Sequence, residues 1–200
     1  MEIIPVTLQH NTVRLDPIRR EHWKELWDIA KDSLEDTFRW IPYSMRSAQD
    51  FEGWIGKALG EQERGESLVF TTVERASGKL VGSTRFMNID RANRRVEIGS
   101  TWIAPRWQRS AINTEAKYLM LRHAFEPWGC IRVELKTDAL NHKSRNANLR
   151  IGAKEEGTLR QHMITYTGRR RDTVYFSVLE DEWPEVKAGL QARMARTFAE

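Results

Sequence analysis

Hydrophobic positions along the chain change period several times, and each change predicts an element. Thr12 to Ile18 alternates, with Val13, Leu15 and Ile18 on one side, which predicts a short strand. Trp23, Leu26, Trp27 and Ala30 follow at i, i+3, i+4 and i+7, the stripe of an amphipathic helix. An aromatic loop closed by proline, Phe38 to Tyr43, comes next. Ser47, with Asp50 three residues on, reads as an N-cap for a second helix carrying Phe51, Trp54, Ile55, Ala58 and Leu59. Gly60 and Gly65 mark its exit.

The period then shortens. Leu68 to Val73 is apolar and β-branched, Ala76-Ser77-Gly78-Lys79 has hairpin chemistry, and Leu80 to Met87 reads as the return strand. Arg94 to Ile103 is a further strand, ended by Pro105, which cannot donate to a ladder. Thr114 to Glu126 is apolar around most of its circumference, which predicts a helix buried against a sheet. Ile131 to Thr137 is a strand, and Asn141 to Ile151 a shorter helix. Two strands, Gly157 to Thr167 and Asp172 to Leu179, precede a terminal helix over about 181–198 that carries Trp183, Val186, Leu190 and Met194. The pattern predicts one α/β domain over 1–200, with a mixed, mostly antiparallel sheet of about seven strands.

Composition changes this picture little. A length of 200 residues suits one compact core, and 40% hydrophobic with 30% charged residues is ordinary for a soluble protein. A net charge of +4 does not by itself call for nucleic acid. Arginines cluster at Arg91, Arg94 and Arg95 and at Arg169 to Arg171, where they serve either a polyanion or the solvation of turns. The single cysteine, Cys130, leaves no intramolecular disulfide and no thiolate metal site. No signal peptide and no apolar run of the ~18 residues a membrane span needs is visible. The expected location is cytoplasmic.

One junction carries candidate chemistry. The loop Pro105 to Asn113 leads from a strand into the long buried helix, so free N–H groups and the positive dipole end would face it. Arg109 adds a cation and Ser110 a donor. Taken alone, the loop fits an anion site and a plain connection capped by Asn113 or Thr114 equally well.

The chain resembles the GNAT acetyltransferases, in the branch similar to the ribosomal-protein acetyltransferases RimJ and RimL. The resemblance rests on Val96-Glu97-Ile98-Gly99, Trp102-Ile103-Ala104-Pro105, Asn113-Thr114-Glu115-Ala116, Leu121 to Glu126, Asn141-His142-Lys143-Ser144 and Gly152 to Gly157. The family's pyrophosphate loop, Q/R-x-x-G-x-G/A, stands here as Gln108-Arg109-Ser110-Ala111-Ile112-Asn113, with alanine and asparagine at the glycine positions. Asparagine tolerates left-handed backbone and caps helices, so Asn113 is expected to hold the turn into the helix.

The resemblance implies acetyl-CoA as acyl donor and no metal. It implies that the Trp102, Ile103 and Ala104 backbone pairs with the pantetheine arm. It places the pyrophosphate on Gln108, Arg109, Ser110, Ala111, Ile112, Asn113 and Thr114, and a pantetheine amide on Asn141. Asn141 also reads as a helix cap, and the two roles are compatible. Glu97 is the candidate base for the attacking amine, or else an ion-pair partner of Arg94 or Arg95. Ser144 is implied as donor to the departing thiolate, with Tyr166 second; a serine there also suits a helix start. Trp40, Tyr43 and His162 are the candidate acceptor-side residues. The aromatic loop serves equally as a packing plug, and a lone histidine as a structural one.

Implied partners are acetyl-CoA and an amine acceptor, either a protein N-terminus, a ribosomal protein among the candidates, or a small amine. A homodimer is compatible with this reading; a membrane or direct nucleic-acid partner is not expected. Two other functions stay open, a catalytically silent CoA-binding sensor or scaffold and, ranked last, a nucleic-acid-associated protein.

Overall fold

In the computed structural model, which describes residues 1–197, one eight-stranded sheet runs through the molecule. Its strands are β1 (Leu8–Gln9), β2 (Val13–Pro17), β3 (Leu68–Glu74), β4 (Leu80–Asp90), β5 (Arg95–Ile103), β6 (Arg132–Asp138), β7 (Lys154–Ile164) and β8 (Arg170–Leu179), in the order β1-β2-β3-β4-β5-β6-β8-β7. All neighbours are antiparallel except β5 and β6. That parallel pair needs a crossover, and the buried helix α4 (Ala111–Phe125) supplies it. The strand beyond the expected seven is β1, whose two residues are too short to leave a period-2 signal.

Each face of the sheet is covered. On one side α1 (His22–Ala30), α2 (Leu34–Phe38) and α3 (Ala48–Glu63) enclose a core of Leu26, Phe38, Phe51, Ile55, Val69 and Trp102. The expected capping box of Ser47 and Asp50 opens α3, which runs through Gly60 and ends at Glu63. On the other side α4 and α6 (Trp183–Thr197) pack on Val96, Ile98, Val133, Leu135, Phe176 and Val178. Residue 198, the last of the expected terminal helix, lies outside the described residues. Glu115 on α4 is fully buried and accepts from the N–H groups of Thr12 and Val13 at 2.8 and 3.2 Å, which ties the helix to β2.

The feature that makes room for a site is the parting of β5 from β6. They pair only from Arg95 to Glu97 against Arg132 to Glu134. Beyond Glu97, β5 has no strand partner on that edge, while β6 continues beside β8 to Asp138. On its other edge β5 stays on β4 with a bulge, in which Ser100 and Thr101 stand opposite Thr84. Gly82 permits this approach, because a Cβ there would lie 2.0 Å from the Trp102 carbonyl oxygen.

Among the described residues, no helix is long and apolar enough to cross a membrane, and no group of three or more His, Cys, Asp or Glu could hold a metal ion.

Candidate functional site

Three helix or strand ends meet where β5 and β6 part: the open edge of β5, the N-terminus of α4, and the N-terminus of α5 (His142–Arg150). The Ala104 N–H bonds back to Val81, so the Ile103 carbonyl of the same peptide points to the open edge. Gln108 Nε2 donates to it at 2.7 Å, and Gln108 Oε1 accepts from Lys143 Nζ on α5. Gln108 therefore bridges the mouth between the two helix starts. The Trp102 side chain faces the opposite way, into the Phe38 and Phe51 cluster.

The start of α4 differs from expectation. The helix begins at Ala111, three residues before Thr114, and its cap is Ser110, whose Oγ accepts from Ile112 N at 3.4 Å and donates to Trp107 O at 2.7 Å. Asn113 lies inside the first turn and caps nothing. The left-handed residue of the loop is Arg109, at φ 62°, and neither Ala111 nor Asn113 has positive φ. A serine hydroxyl reaches the N2 amide from the cap position, so the turn closes at the first residue able to do this. With Ile112 N–H taken by the cap, the free N–H groups are those of Ser110, Ala111 and Asn113, while Thr114 already has the Ser110 carbonyl in helical register. A cavity of about 410 Å³ opens beside this turn, lined by Ser110, Ala111, Ile112, Thr12 and Arg75.

On α5, Asn141 caps the helix by accepting from Ser144 N at 3.0 Å. The Ser144 hydroxyl makes no hydrogen bond within the protein among the described residues.

Glu97 is on the opposite face of β5 from Val96 and Ile98, at the last rung shared with β6. It is buried, and its ion-pair partner is Lys136 at 2.8 Å rather than Arg94 or Arg95, which pair with Glu180 and with Asp90 and Glu134. Lys136 lies two residues beyond Glu134, the register partner of Glu97, and so shares its face, whereas Arg95 bonds Asp90 at the end of β4. Asn88 donates to the same oxygen, Oε2, at 2.6 Å. Oε1 takes no hydrogen bond among the described residues and lies 3.1 Å from where a Cβ on Gly99 would sit, so the missing side chain keeps that oxygen clear. Burial works against the Lys136 ammonium, but Glu97 and Tyr175 together outweigh it and hold its pKa above the ordinary lysine value. Asn88 and Lys136, with Asp90, Arg91 and Arg95, line an open cavity of about 630 Å³. Neither residue carries a local sequence signal; only strand pairing selects them.

The acceptor-side candidates share this face. Lys136 Nζ is 4.5 Å from the Tyr175 ring centroid, and His162 meets Tyr175 edge-on at 5.8 Å. The Tyr43 hydroxyl donates to Ser100 Oγ at 3.2 Å. Trp40 is tied to β8 through its carbonyl, which accepts from Arg171 at 3.4 Å, and its ring lies under Arg39 and Arg169. Asp138, wholly buried, faces both Arg169 and Arg171. Burial lowers the Arg171 pKa, with Asp138 opposing. Tyr166 turns away from the parting of the strands: its hydroxyl accepts from Arg46 at 3.0 Å and its N–H bonds to Pro42.

Comparison with known proteins gives a consistent result. Residues 12–154 match the family model described as an acetyltransferase (GNAT) domain. The chain is 38% identical over 106 residues to YdaF of Bacillus subtilis (strain 168), a protein carried under the name of ribosomal N-acetyltransferase; the match covers 53% of this chain and spans 57% of that relative's length. A GCN5-related N-acetyltransferase from Brucella melitensis superposes with a TM-score of 0.87 at 35% identity, over 96% of this chain and 86% of that one. RimJ of Mycobacterium smegmatis, solved in complex with CoA-disulfide, shares the fold at a TM-score of 0.83 and 23% identity, over 94% of this chain and 95% of that one.

Proposed function

Since the chain belongs to the family of GNAT acetyltransferase domains, we propose that it is an N-acetyltransferase, moving an acetyl group from acetyl-CoA to a primary amine held in the same complex. The observation that carries this reading is the parting of β5 from β6 beside the free N-terminus of α4. The open backbone edge at Trp102 to Ala104 suits an amide-bearing arm. The free N–H groups of Ser110, Ala111 and Asn113 in the turn Ser110-Ala111-Ile112-Asn113, with Arg109 and Gln108 beside them, suit a pyrophosphate. Asn141 keeps its side-chain amide N–H groups for a pantetheine carbonyl while its oxygen caps α5.

Bound acetyl-CoA supplies a thioester whose carbonyl carbon accepts the amine. Glu97 takes the amine proton on its free Oε1, directly or through one water, as the N–C bond forms. The C–S bond then breaks, and the Ser144 hydroxyl donates a hydrogen bond to the departing thiolate, keeping its own proton. Trp40, Tyr43 and His162 border the amine side. The acceptor is a protein N-terminus or a small amine, and the name of YdaF favours a ribosomal protein. The reading takes residues 1–200 as one domain of a cytoplasmic enzyme without a metal. A silent CoA-binding module would be favoured if the replaced glycines distorted the loop. They do not, because Ala111 and Asn113 occupy ordinary helical backbone.

Titration calorimetry with acetyl-CoA, followed by release of CoA thiol over a panel of peptide and small amines, tests the proposal. Absence of heat at millimolar acetyl-CoA overturns the donor assignment; binding without thiol release from any amine overturns turnover.

A further inference from the structure

Lys117 sits on α4, one turn after Asn113, and is 6% exposed. Its one hydrogen bond is from Nζ to Thr101 Oγ1, at 2.9 Å, and among the described residues no carboxylate comes within ion-pair distance of it. Thr101 Oγ1 also meets Thr84 Oγ1 at 2.7 Å, and Thr84 lies 3.4 Å from Met120 Sδ, back on α4. A polar strap thus joins α4, β5 and β4 inside the buried layer between helix and sheet. Burying an amine without a counter-charge is costly, and a methionine would fill the same space without that cost. Stability alone does not account for a lysine here.

Its target is the bulge of β5. Ser100, at φ 47°, and Thr101 are the two residues opposite Thr84, between Glu97 on one side and Trp102 to Ala104 on the other. Bulges re-aim neighbouring side chains and recur beside active sites. Here the re-aimed Ser100 hydroxyl receives the Tyr43 hydroxyl from the aromatic loop. The bulge therefore touches each part of the site: the candidate base, the open backbone edge and the acceptor side.

We propose that Lys117 is a positioning residue for acetyl transfer, holding the Ser100–Thr101 bulge through Thr101 and so setting the geometry between Glu97, Tyr43 and the open edge of β5. The inference rests on the acetyltransferase reading of the site. Burial pushes the Lys117 amine down to about 7, with the field of Glu97 on β5 opposing. The other groups of the strap, on β4, β5 and α4, are the two threonine hydroxyls and the Met120 thioether, all uncharged. The charge on Lys117 consequently changes within the range in which an amine acceptor is assayed.

The test is a double-mutant cycle on the full chain, with Lys117→Met, Thr101→Val and both together, read as kcat, acetyl-CoA Kd and melting temperature. Each single variant should lower kcat about tenfold through misplacement, with Kd within about twofold. The double variant should be no slower than either single one, because both break the same strap. Lys117→Gln, which still donates to Thr101, should recover most of kcat at pH 8. The ratio of wild-type to Lys117→Gln rates should shift by about threefold or more between pH 6 and 8, since only the wild type changes charge there. Losses that multiply in the double variant, a ratio flat with pH, or a Lys117→Met rate equal to wild type each overturn the proposal. A wild-type protein that neither binds acetyl-CoA nor releases thiol overturns the acetyltransferase reading itself, a result distinct from wild-type turnover with indifferent variants.

Discussion

The two sides of β5 are built in different ways. The side facing α4 and α5 offers mainly backbone: an unpaired strand edge, the first N–H groups of α4, and short caps at Ser110 and Asn141. The side facing the aromatic loop offers side chains in mutual contact, Glu97 with Lys136 and Asn88, Tyr175 with His162, and Trp40 with Arg169. Backbone recognition depends on where elements end, so it survives substitution at most positions. A network of side chains depends on each member, because a buried polar group that loses its partner keeps its desolvation cost. On the proposed reading, the first side would hold the acyl donor and the second the amine acceptor.

The sharpest break in this comparison is Glu97→Gln. It keeps the shape and removes the proposed base, so kcat should fall by about a hundredfold or more, with acetyl-CoA Kd within about twofold. A loss of stability with unchanged kcat would make Glu97 a structural partner of Lys136 only. Paired rates and denaturation midpoints separate the outcomes.

Lys117 links the two sides, and its burial predicts a pH signature in stability. Its folded pKa of about 7 lies below the ordinary 10.5, so between these values the unfolded chain holds a proton that the folded protein lacks. Raising the pH therefore stabilises the fold through this window, and the penalty is complete below it. Relative to Lys117→Met, the wild type should gain about 2 kcal/mol between pH 7 and 9, at most about 1.4 kcal/mol per unit. Urea melts across that range check the slope.

Asn113→Asp probes the donor side alone. A carboxylate in the first turn of α4 favours the helix dipole and should raise stability by about 0.3–1 kcal/mol. The same charge would face the pyrophosphate, so acetyl-CoA should bind about tenfold more weakly, a cost of about 1.4 kcal/mol. Calorimetry and thermal melts should thus move in opposite directions. If both improve, the pyrophosphate does not lie at this turn.

The smallest effect is expected from Ser110→Ala, which removes the observed cap. The loss is about 1 kcal/mol of stability, whereas Asn113→Ala, inside the turn, should cost less. The reverse order, read from denaturation midpoints, would return the cap to Asn113.

Most of the fold was legible because its signals are local. The stripe from Trp23 to Ala30, the Ser47 capping box and the apolar girth of α4 each arise within a few residues, and each appears in the structure. The cap of α4 departs from the sequence expectation for a related reason. Serine and asparagine are nearly equal caps, and only two residues lie between Ser110 and Asn113. What chose Ser110 was the preceding turn, in which left-handed Arg109 aims the serine hydroxyl back at both Trp107 and Ile112.

The sequence by itself determined the order of elements, the faces they bury and the motifs that place a helix N-terminus after an edge-forming strand. Only the tertiary structure decided that Lys136 and Asn88 meet on one oxygen of Glu97, that Gln108 reaches across to Lys143, and that Lys117 is sealed against Thr101. The physical reason is range. Periodicity and capping are settled by neighbours in the chain, whereas ion pairing and desolvation depend on which strands lie side by side and how far water is excluded, which no short stretch of residues encodes.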